Sequence, residues 1–454
     1  MTDPTTLDLS TLRCELPAEA FSSVAPTGAD GYAVDGVAAL GAVFPATVEE
    51  VAAVLRWANA RGVAVWPRGG GSKLATGNVP ARPGLVLGLE RLDRLVDHVP
   101  GDLTATMQAG LRLKRLQEML RPSRQWLPID PPFVEEATIG GIMAAASVGS
   151  RRYGHGGMRD LVLGTTIVLP DGTVARAGGR VVKNVTGYDL MKLYIGSFGT
   201  LGVLVECTCK LQPLPLKESV LLLMARELDG ACEALRRIRG SCLVPTALDL
   251  LNQPALSLLA ERANLEPAGE TCALLIGLEG TQSELQRSLD EITRRHAGGL
   301  SSEWIVLDGL DTTMIWNIIQ DFPKVLASFD RPFFLAAASL PVSGLAGFLQ
   351  AVQDDLRAGG FTPYIYAQAG NGEARLAAFY EAERLEEAAA SVRRARQRAV
   401  AQGGCLILER AEPAFKQHCE TWGEVGGALP IMRALKQQYD PNGVMNPGRF
   451  AGGI

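Results

Sequence analysis

Pro67-Arg68-Gly69-Gly70-Gly71-Ser72-Lys73 follows the apolar run Val63-Ala64-Val65-Trp66 and precedes a second apolar run at Leu85 to Leu89. Three successive glycines let the backbone enter positive φ and strip every Cβ from one side of the turn, so consecutive N–H groups can converge on an anion. Arg68 adds a permanent positive charge beside them. The stretch reads either as the phosphate cradle of a nucleotide cofactor or as a plain tight turn between two strands, and the loop alone leaves both open. Its spacing excludes the commoner phosphate motifs. A Walker loop needs G-x-x-x-x-G-K-[ST], and no such glycine precedes Lys73, which itself comes after Ser72. A dinucleotide G-x-G-x-x-G should open a helix, whereas Leu74 to Pro80 reads as irregular chain. The hydrolase elbow G-x-S-x-G fails at Leu74.

Upstream of the loop, Thr47 reads as the N-cap of a helix with Glu49 and Glu50 in its first turn and Val48, Val51, Val54, Leu55 and Ala58 on one face. The loop therefore ends a β-α-β unit. Residues 1–41 mix Pro, Gly, Asp and Ser and read as an irregular lead-in with one short helix. Downstream, Thr104 to Ala109 predicts a strand and Leu113 to Leu120 a helix, followed by the rigid elbow Asp130-Pro131-Pro132. Ala137 to Gly157 is a run of small residues with six glycines, suited to close backbone approach to a ligand or to another helix. Leu161 to Leu169, the turn Pro170-Asp171-Gly172 and Thr173 to Arg176 read as a hairpin. Asp189 to Tyr194 predicts a short helix, and Val203 to Leu211 a strand with Cys207 and Cys209 on one face, read as a reduced, buried pair.

After Pro213 and Pro215 the texture changes. Residues 216–415 alternate strands and helices, an α+β domain with an antiparallel sheet and helices on one face. Pro332 to Gln353 has no charged residue, but Pro341 and Gly344 divide it into a strand and a helix rather than a membrane span. Residues 416–454 carry an amphipathic helix and then the turns Asp440-Pro441-Asn442-Gly443 and Asn446-Pro447-Gly448-Arg449.

The chain has 454 residues, enough for two or three domains, and a net charge of −5 without any basic cluster, which argues against nucleic-acid and membrane-surface roles. Eight cysteines form no C-x-x-C pair, so zinc and iron–sulfur spacing is missing. The N-terminus lacks the basic and apolar regions of a secretory signal, and the expected location is the cytoplasm.

The PRGGGS loop, the TIGG segment, the PDGTV hairpin, GSFGTLGV and the closing DPNGVMNPGR together resemble FAD-binding proteins of the vanillyl-alcohol oxidase type. Arg180 to Val203 is most similar to the FAD-binding second subunits of bacterial glycolate oxidases, although many relatives carry Glu where this chain has Phe198. The resemblance implies a PCMH-type FAD-binding domain over residues 42–215, in two lobes of about 42–100 and 101–215, with an inserted α+β cap over 216–415 and a C-terminal segment, 416–454, that returns to close it. It places Pro67, Arg68, Gly69, Gly70, Gly71, Ser72 and Lys73 around the pyrophosphate, and Thr138, Ile139, Gly140 and Gly141 along the flavin, with Asp130 and Pro131 leading in. Ala145, Ser147 and Gly149 would sit against ribityl or ring, with Tyr153 and Gly154 following, and Gly199, Gly202 and Val203 on the adenine side. The cradle offers neither His nor Cys for attachment, so the implied FAD is noncovalent; His155 is the imidazole nearest these loops in sequence.

Relatives that oxidise 2-hydroxy acids carry H-x-G-D-G-N-x-H in the cap, where imidazoles hold a metal or take the hydroxyl proton. The nearest match here, Tyr366 to Ala374, keeps the glycines and Asn371 but has no histidine, and the four histidines, His98, His155, His296 and His418, are far apart. Tyr188 and Lys192 are the remaining candidates for a base, against a surface or packing role. The implied reading is a flavoprotein subunit working beside a His-bearing catalytic FAD subunit and an iron–sulfur subunit on a small 2-hydroxy acid, attached to the inner face of the membrane only through partners. The alternative is a self-sufficient FAD-dependent D-2-hydroxy-acid dehydrogenase.

Overall fold

Thr47 caps the helix that organises the first lobe. In the computed structural model, which describes residues 9–21, 32–180, 187–263, 272–296 and 304–454, its hydroxyl accepts the Glu50 N–H (3.1 Å) and the Glu50 carboxylate accepts the Ala46 N–H (2.7 Å). The first-turn acids oppose the positive end of the helix dipole. Gly62, at φ 64°, ends the helix. With β1 (Gly41–Val43), this α1 (Val48–Arg61), β2 (Ala64–Arg68) and β3 (Gly84–Gly88) make a parallel three-stranded sheet in the order β1-β3-β2. Val51, Val54, Leu55 and Ala58 of α1 are buried against Val65, Leu85 and Leu87. The lead-in joins the same core: a helix at Ser10–Glu15 and a turn at Ala18–Phe21 bury Leu12, Leu16 and Ala20 there.

The second lobe holds β4 (Leu95–Val99), β5 (Thr104–Gln108), α2 (Leu113–Leu120), α3 (Ile139–Ala145), β6 (Val162–Val168), β7 (Val174–Gly178) and β8 (Val203–Lys210). The strands form one antiparallel sheet, β4-β5-β8-β6-β7. The expected hairpin is β6–β7, its turn carried by Gly172 at φ 82°. The helix expected from Asp189 is shorter, Met191–Tyr194, and residues 181–186 of the motif around it lie outside the described residues. Cys207 and Cys209 are buried with their sulfurs 3.7 Å apart.

These lobes belong to one unit, Met1–Ser147, Gly157–Leu214 and Glu424–Ile454; the other consists of Val148–Gly156 and Pro215–Gly423. The second unit contains β9 (Lys217–Ala225), α4 (Leu228–Arg239), β10 (Ala247–Leu251), α5 (Gln253–Ala263), β11 (Cys272–Gly280), α6 (Gln282–Glu291), β12 (Trp304–Asp308), α7 (Leu310–Gln320), α8 (Phe322–Ala327), β13 (Phe333–Ser339), α9 (Val342–Ala358), β14 (Tyr364–Gln368), β15 (Glu373–Phe379), α10 (Leu385–Ala401), β16 (Cys405–Arg410) and α11 (Pro413–His418). Its eight strands pair antiparallel throughout, β12-β9-β11-β10-β14-β15-β13-β16.

Helices cover both faces of this sheet, not one. Leu221 and Leu223 of β9 join the core under α4, α6, α9, α10 and α11. Val220, Leu222 and Met224 face the opposite way, into the core under α5, α7 and α8. The continuous apolar run Val220-Leu221-Leu222-Leu223-Met224 is what burial on two faces requires, whereas a one-faced sheet would alternate. The unit also extends past residue 415 to Gly423, because Phe415 and Cys419 are part of its core. Pro332 to Gln353 resolves into β13 and α9, and among the described residues no helix is long and apolar enough to cross a membrane. The chain then re-enters the first unit as α12 (Leu429–Tyr439).

Candidate functional site

At the end of β2 the chain must turn through a narrow gap, and the glycines are what fit it. A Cβ on Gly69 would stand 2.1 Å from Thr138 Oγ1, and one on Gly70 would stand 1.6 Å from the Glu136 carbonyl oxygen. Gly71 takes φ 81°, and the Arg68 guanidinium folds back over it, with Nε 3.0 Å from where its Cβ would be. That guanidinium lies 5.0 Å from the Tyr32 ring centroid, and its Nε is buried without a hydrogen-bond acceptor. A buried guanidinium nitrogen without an acceptor is costly in a finished fold, and an anionic ligand against the loop is the acceptor that suits it.

The loop forms one wall of a cavity within the first unit that encloses about 990 Å³ of space, part of it open to solvent. Pro67, Arg68, Gly69, Gly70, Gly71, Ser72 and Lys73 all line it, as do Thr138, Gly140, Gly141, Ala145, Gly199, Gly202 and Val203.

Other expected residues lie elsewhere. Ile139 is fully buried in the lobe core with Ile142 and Met143, because α3 turns that face inward and presents Gly140, Gly141, Ala144 and Ala145 to the cavity. Ser147 is buried beyond the end of α3, its N–H bonded to Ile142 O (3.0 Å), and Asp130 and Pro131 are not among the cavity's lining. Gly149, Tyr153 and Gly154 belong to the second unit. There the Gly154 N–H donates to Thr246 O (3.0 Å), and Tyr153 packs on Gly370, whose Cβ would stand 2.5 Å from its ring.

Lining residues that the sequence reading does not place at the site include Trp66, Leu74, Leu89, Ser197, Phe198, Asn446 and Arg449. The Asn446 to Arg449 turns and Phe198 were singled out in the sequence without a role. Phe198 holds φ 51°, its ring 5.6 Å from that of Phe450.

In the second unit, Tyr366 to Arg375 forms the β14–β15 hairpin. Tyr366 is buried, with its hydroxyl 2.7 Å from Ser150 Oγ and donating to Asp249 Oδ2 (3.1 Å). Burial, then the nearby Asp249 charge, pushes its phenol well above the ordinary value. Arg375 is bound by Glu409 (Nε to Oε2, 3.0 Å). Burial alone would lower the Arg375 value, but Glu409, with Tyr366 and Glu373, raises it overall, so this is a fixed cation. Arg152 pairs with Glu373 at the hairpin end.

The candidate bases do not reach the cavity. Tyr188 is 93% exposed, and Lys192 donates to the Arg159 carbonyl. His98, His155 and His418 contact Gln125, Glu279 and Glu386, and the His296 side chain lies outside the described residues. Among the described residues no group of His, Cys, Asp and Glu could hold a metal ion.

Two family models match the chain: an FAD binding domain over residues 39–178, and the C-terminal domain of FAD linked oxidases over residues 214–450, more than half of its length. Glycolate oxidase subunit GlcD of Bacillus subtilis is 27% identical over 416 residues, 90% of this chain and 88% of that protein. D-2-hydroxyglutarate dehydrogenase of Xanthomonas citri is 27% identical over 424 residues, 90% of this chain and 89% of that protein. Among solved structures, 4-ethylphenol oxidase of Gulosibacter chungangensis superposes with a TM-score of 0.71 at 18% identity, covering 91% of this chain and 89% of that one.

Proposed function

The chain belongs to the FAD-linked oxidases, with their PCMH-type FAD-binding fold, and from that premise we propose that it is the FAD-binding subunit of a glycolate oxidase or 2-hydroxy-acid dehydrogenase complex. In this reading it supports the oxidation of glycolate to glyoxylate beside a separate His-bearing flavoprotein and an iron–sulfur subunit. It stays on the cytoplasmic side and reaches a membrane only through those partners.

The cavity of the first unit holds the cofactor. Arg68 and the backbone N–H groups of Gly69 to Ser72 take the pyrophosphate, Thr138, Gly140, Gly141 and Ala145 lie along the flavin, and Gly199 to Val203 lie toward the adenine. Among the described residues no His or Cys lines this cavity, which supports a noncovalent FAD. When bound, FAD supplies the hydride acceptor.

The observation that carries the subunit reading is the β14–β15 hairpin. Hydride removal from a 2-hydroxy acid needs a group that takes the hydroxyl proton. Between Tyr366 and Arg375 there is no imidazole; Tyr366 is a buried phenol, Glu373 is paired with Arg152, and Arg375 is a cation held by Glu409. The second reading, a self-sufficient D-2-hydroxy-acid dehydrogenase for D-lactate or glycolate, is favoured by the 90% of the chain that aligns with D-2-hydroxyglutarate dehydrogenase.

Anaerobic mixing separates the two. The purified chain should release its flavin on denaturation, and the bound flavin should stay oxidised with glycolate or D-lactate until the partner flavoprotein is added. Rapid bleaching by the isolated chain would overturn the subunit reading in favour of the second.

A further inference from the structure

The strand that delivers the glycine loop has a neighbour from the far end of the chain. Val65 of β2 donates to Val444 O (2.7 Å) and accepts from Asn446 N–H (3.0 Å), so residues 444–446 run parallel beside it. The segment then turns and brings Arg449, which is 7% exposed, into the arm that follows the glycines. Its Nη1 donates to Asp35 Oδ2 and Asn78 O (both 2.8 Å), and its Nη2 donates to Leu74 O (2.6 Å) and Thr76 O (2.7 Å). Carbonyls from three alternate residues converge on one side chain, an arrangement that a planar fork of several donors serves and a single ammonium does not.

The hold is reciprocal. The Asn78 N–H donates to Arg449 O (3.0 Å), and its Nδ2 donates to Gly448 O and Phe450 O (both 3.1 Å). A Cβ on Gly77 would come within 2.8 Å of Arg449 O. On another wall of the cavity, Asn446 Nδ2 donates to Phe198 O (2.6 Å). Residues 74–78 lie outside any strand or helix, so ordering them in one conformation costs entropy that these bonds help to offset.

We propose that Arg449 is a positioning residue for the cofactor: by gripping residues 74–78 it fixes the arm behind the glycine loop, and FAD affinity therefore depends on the last turns of the chain. The inference rests on the cavity being the FAD site, and the experiment tests the two separately.

FAD affinity is measured by fluorescence titration of the apoprotein, alongside its thermal unfolding and its rate of tryptic cleavage at Lys73. Arg449→Lys should weaken FAD binding about tenfold or more, speed cleavage at Lys73 in the apoprotein, and recover wild-type protection at saturating FAD. Wild-type affinity, or weakened affinity with unchanged cleavage, would overturn positioning. If Arg449 variants fail to fold, Asn78→Ala, which loosens the same grip from the other side, must reproduce both effects, and normal affinity with normal cleavage there overturns the proposal. Arg68→Met reports on the site itself: wild-type affinity in that variant removes the cavity reading. Loss of affinity in it while Arg449→Lys binds normally removes positioning alone.

Discussion

Lys436 Nζ lies 2.7 Å from Asp440 Oδ2, and the same carboxylate accepts the N–H groups of Val444 (3.0 Å) and Met445 (2.8 Å). The ammonium donates on to the carbonyls of Thr200 and Met445. This buried pair therefore presents residues 444–446 to β2. Burial lowers the Lys436 value, with Asp440 acting against it.

Removing the carboxylate leaves that ammonium buried without its counter-charge, so Asp440→Ala should cost about 3 kcal/mol in urea unfolding of the apoprotein. The pH dependence has a definite sign. A base whose folded value lies below its unfolded one binds fewer protons when folded, so stability rises with pH across that interval. The deficit of the variant should shrink between neutral pH and about pH 10, and a deficit independent of pH would contradict this account.

Gly70 and Gly347 make a matched pair of substitutions. Alanine at 70 puts its Cβ 1.6 Å from the Glu136 carbonyl, which is backbone and cannot swing aside, so the loop must move. Gly70→Ala should abolish FAD retention on gel filtration. Gly347, inside α9, has nothing within 4 Å of its Cβ position, and Gly347→Ala should stabilise the protein by about 0.5–1 kcal/mol without changing flavin content. Unchanged FAD retention in Gly70→Ala would mean that the close approach to Glu136 is relieved without moving the loop.

What could be read from the sequence follows the range of the interactions. The glycine loop and the Gly140, Gly141, Ala145 segment stand out in the sequence because small residues at short spacing have a local meaning, close backbone approach, and the resemblance alone assigns them to a cofactor. Arg449 does not, since nothing near it in sequence shows that its carbonyl partners are Leu74, Thr76 and Asn78. The same composition also misleads: Gly154 looks like cavity lining, yet its missing Cβ serves an approach to Thr246 Cα, which would stand only 2.7 Å away. The second helical layer on the large sheet is written in the unbroken apolar run of β9, where the sequence reading expects helices on one face.

Glu218, paired with Arg151 at 3.1 Å, has its carboxyl pushed up by burial first and by Glu279 as well, with Arg151 and His155 opposing. An acid whose folded value is raised binds protons that the unfolded chain has lost. Its contribution to stability is full below about pH 4.5 and is lost as pH rises through the folded value. Glu218→Gln should therefore flatten the fall in melting temperature over that window and be no less stable than wild type at pH 7. A variant with the wild-type slope would show that Glu218 does not set it.

Arg375 and Glu409 separate structural from cofactor roles. Both are largely buried, 9% and 11% exposed at the side chain, on strands β15 and β16 of one sheet. Arg375→Met leaves the Glu409 carboxylate buried without its partner and should cost about 3–5 kcal/mol, while the double variant Arg375→Met, Glu409→Leu should recover most of that loss because a well-packed apolar pair carries no desolvation penalty. Neither side chain lines the cavity, so apoprotein from the double variant should bind FAD as wild type does. Titration of that double variant is the decisive measurement, because lost FAD affinity in a protein of restored stability would tie the hairpin to the cofactor.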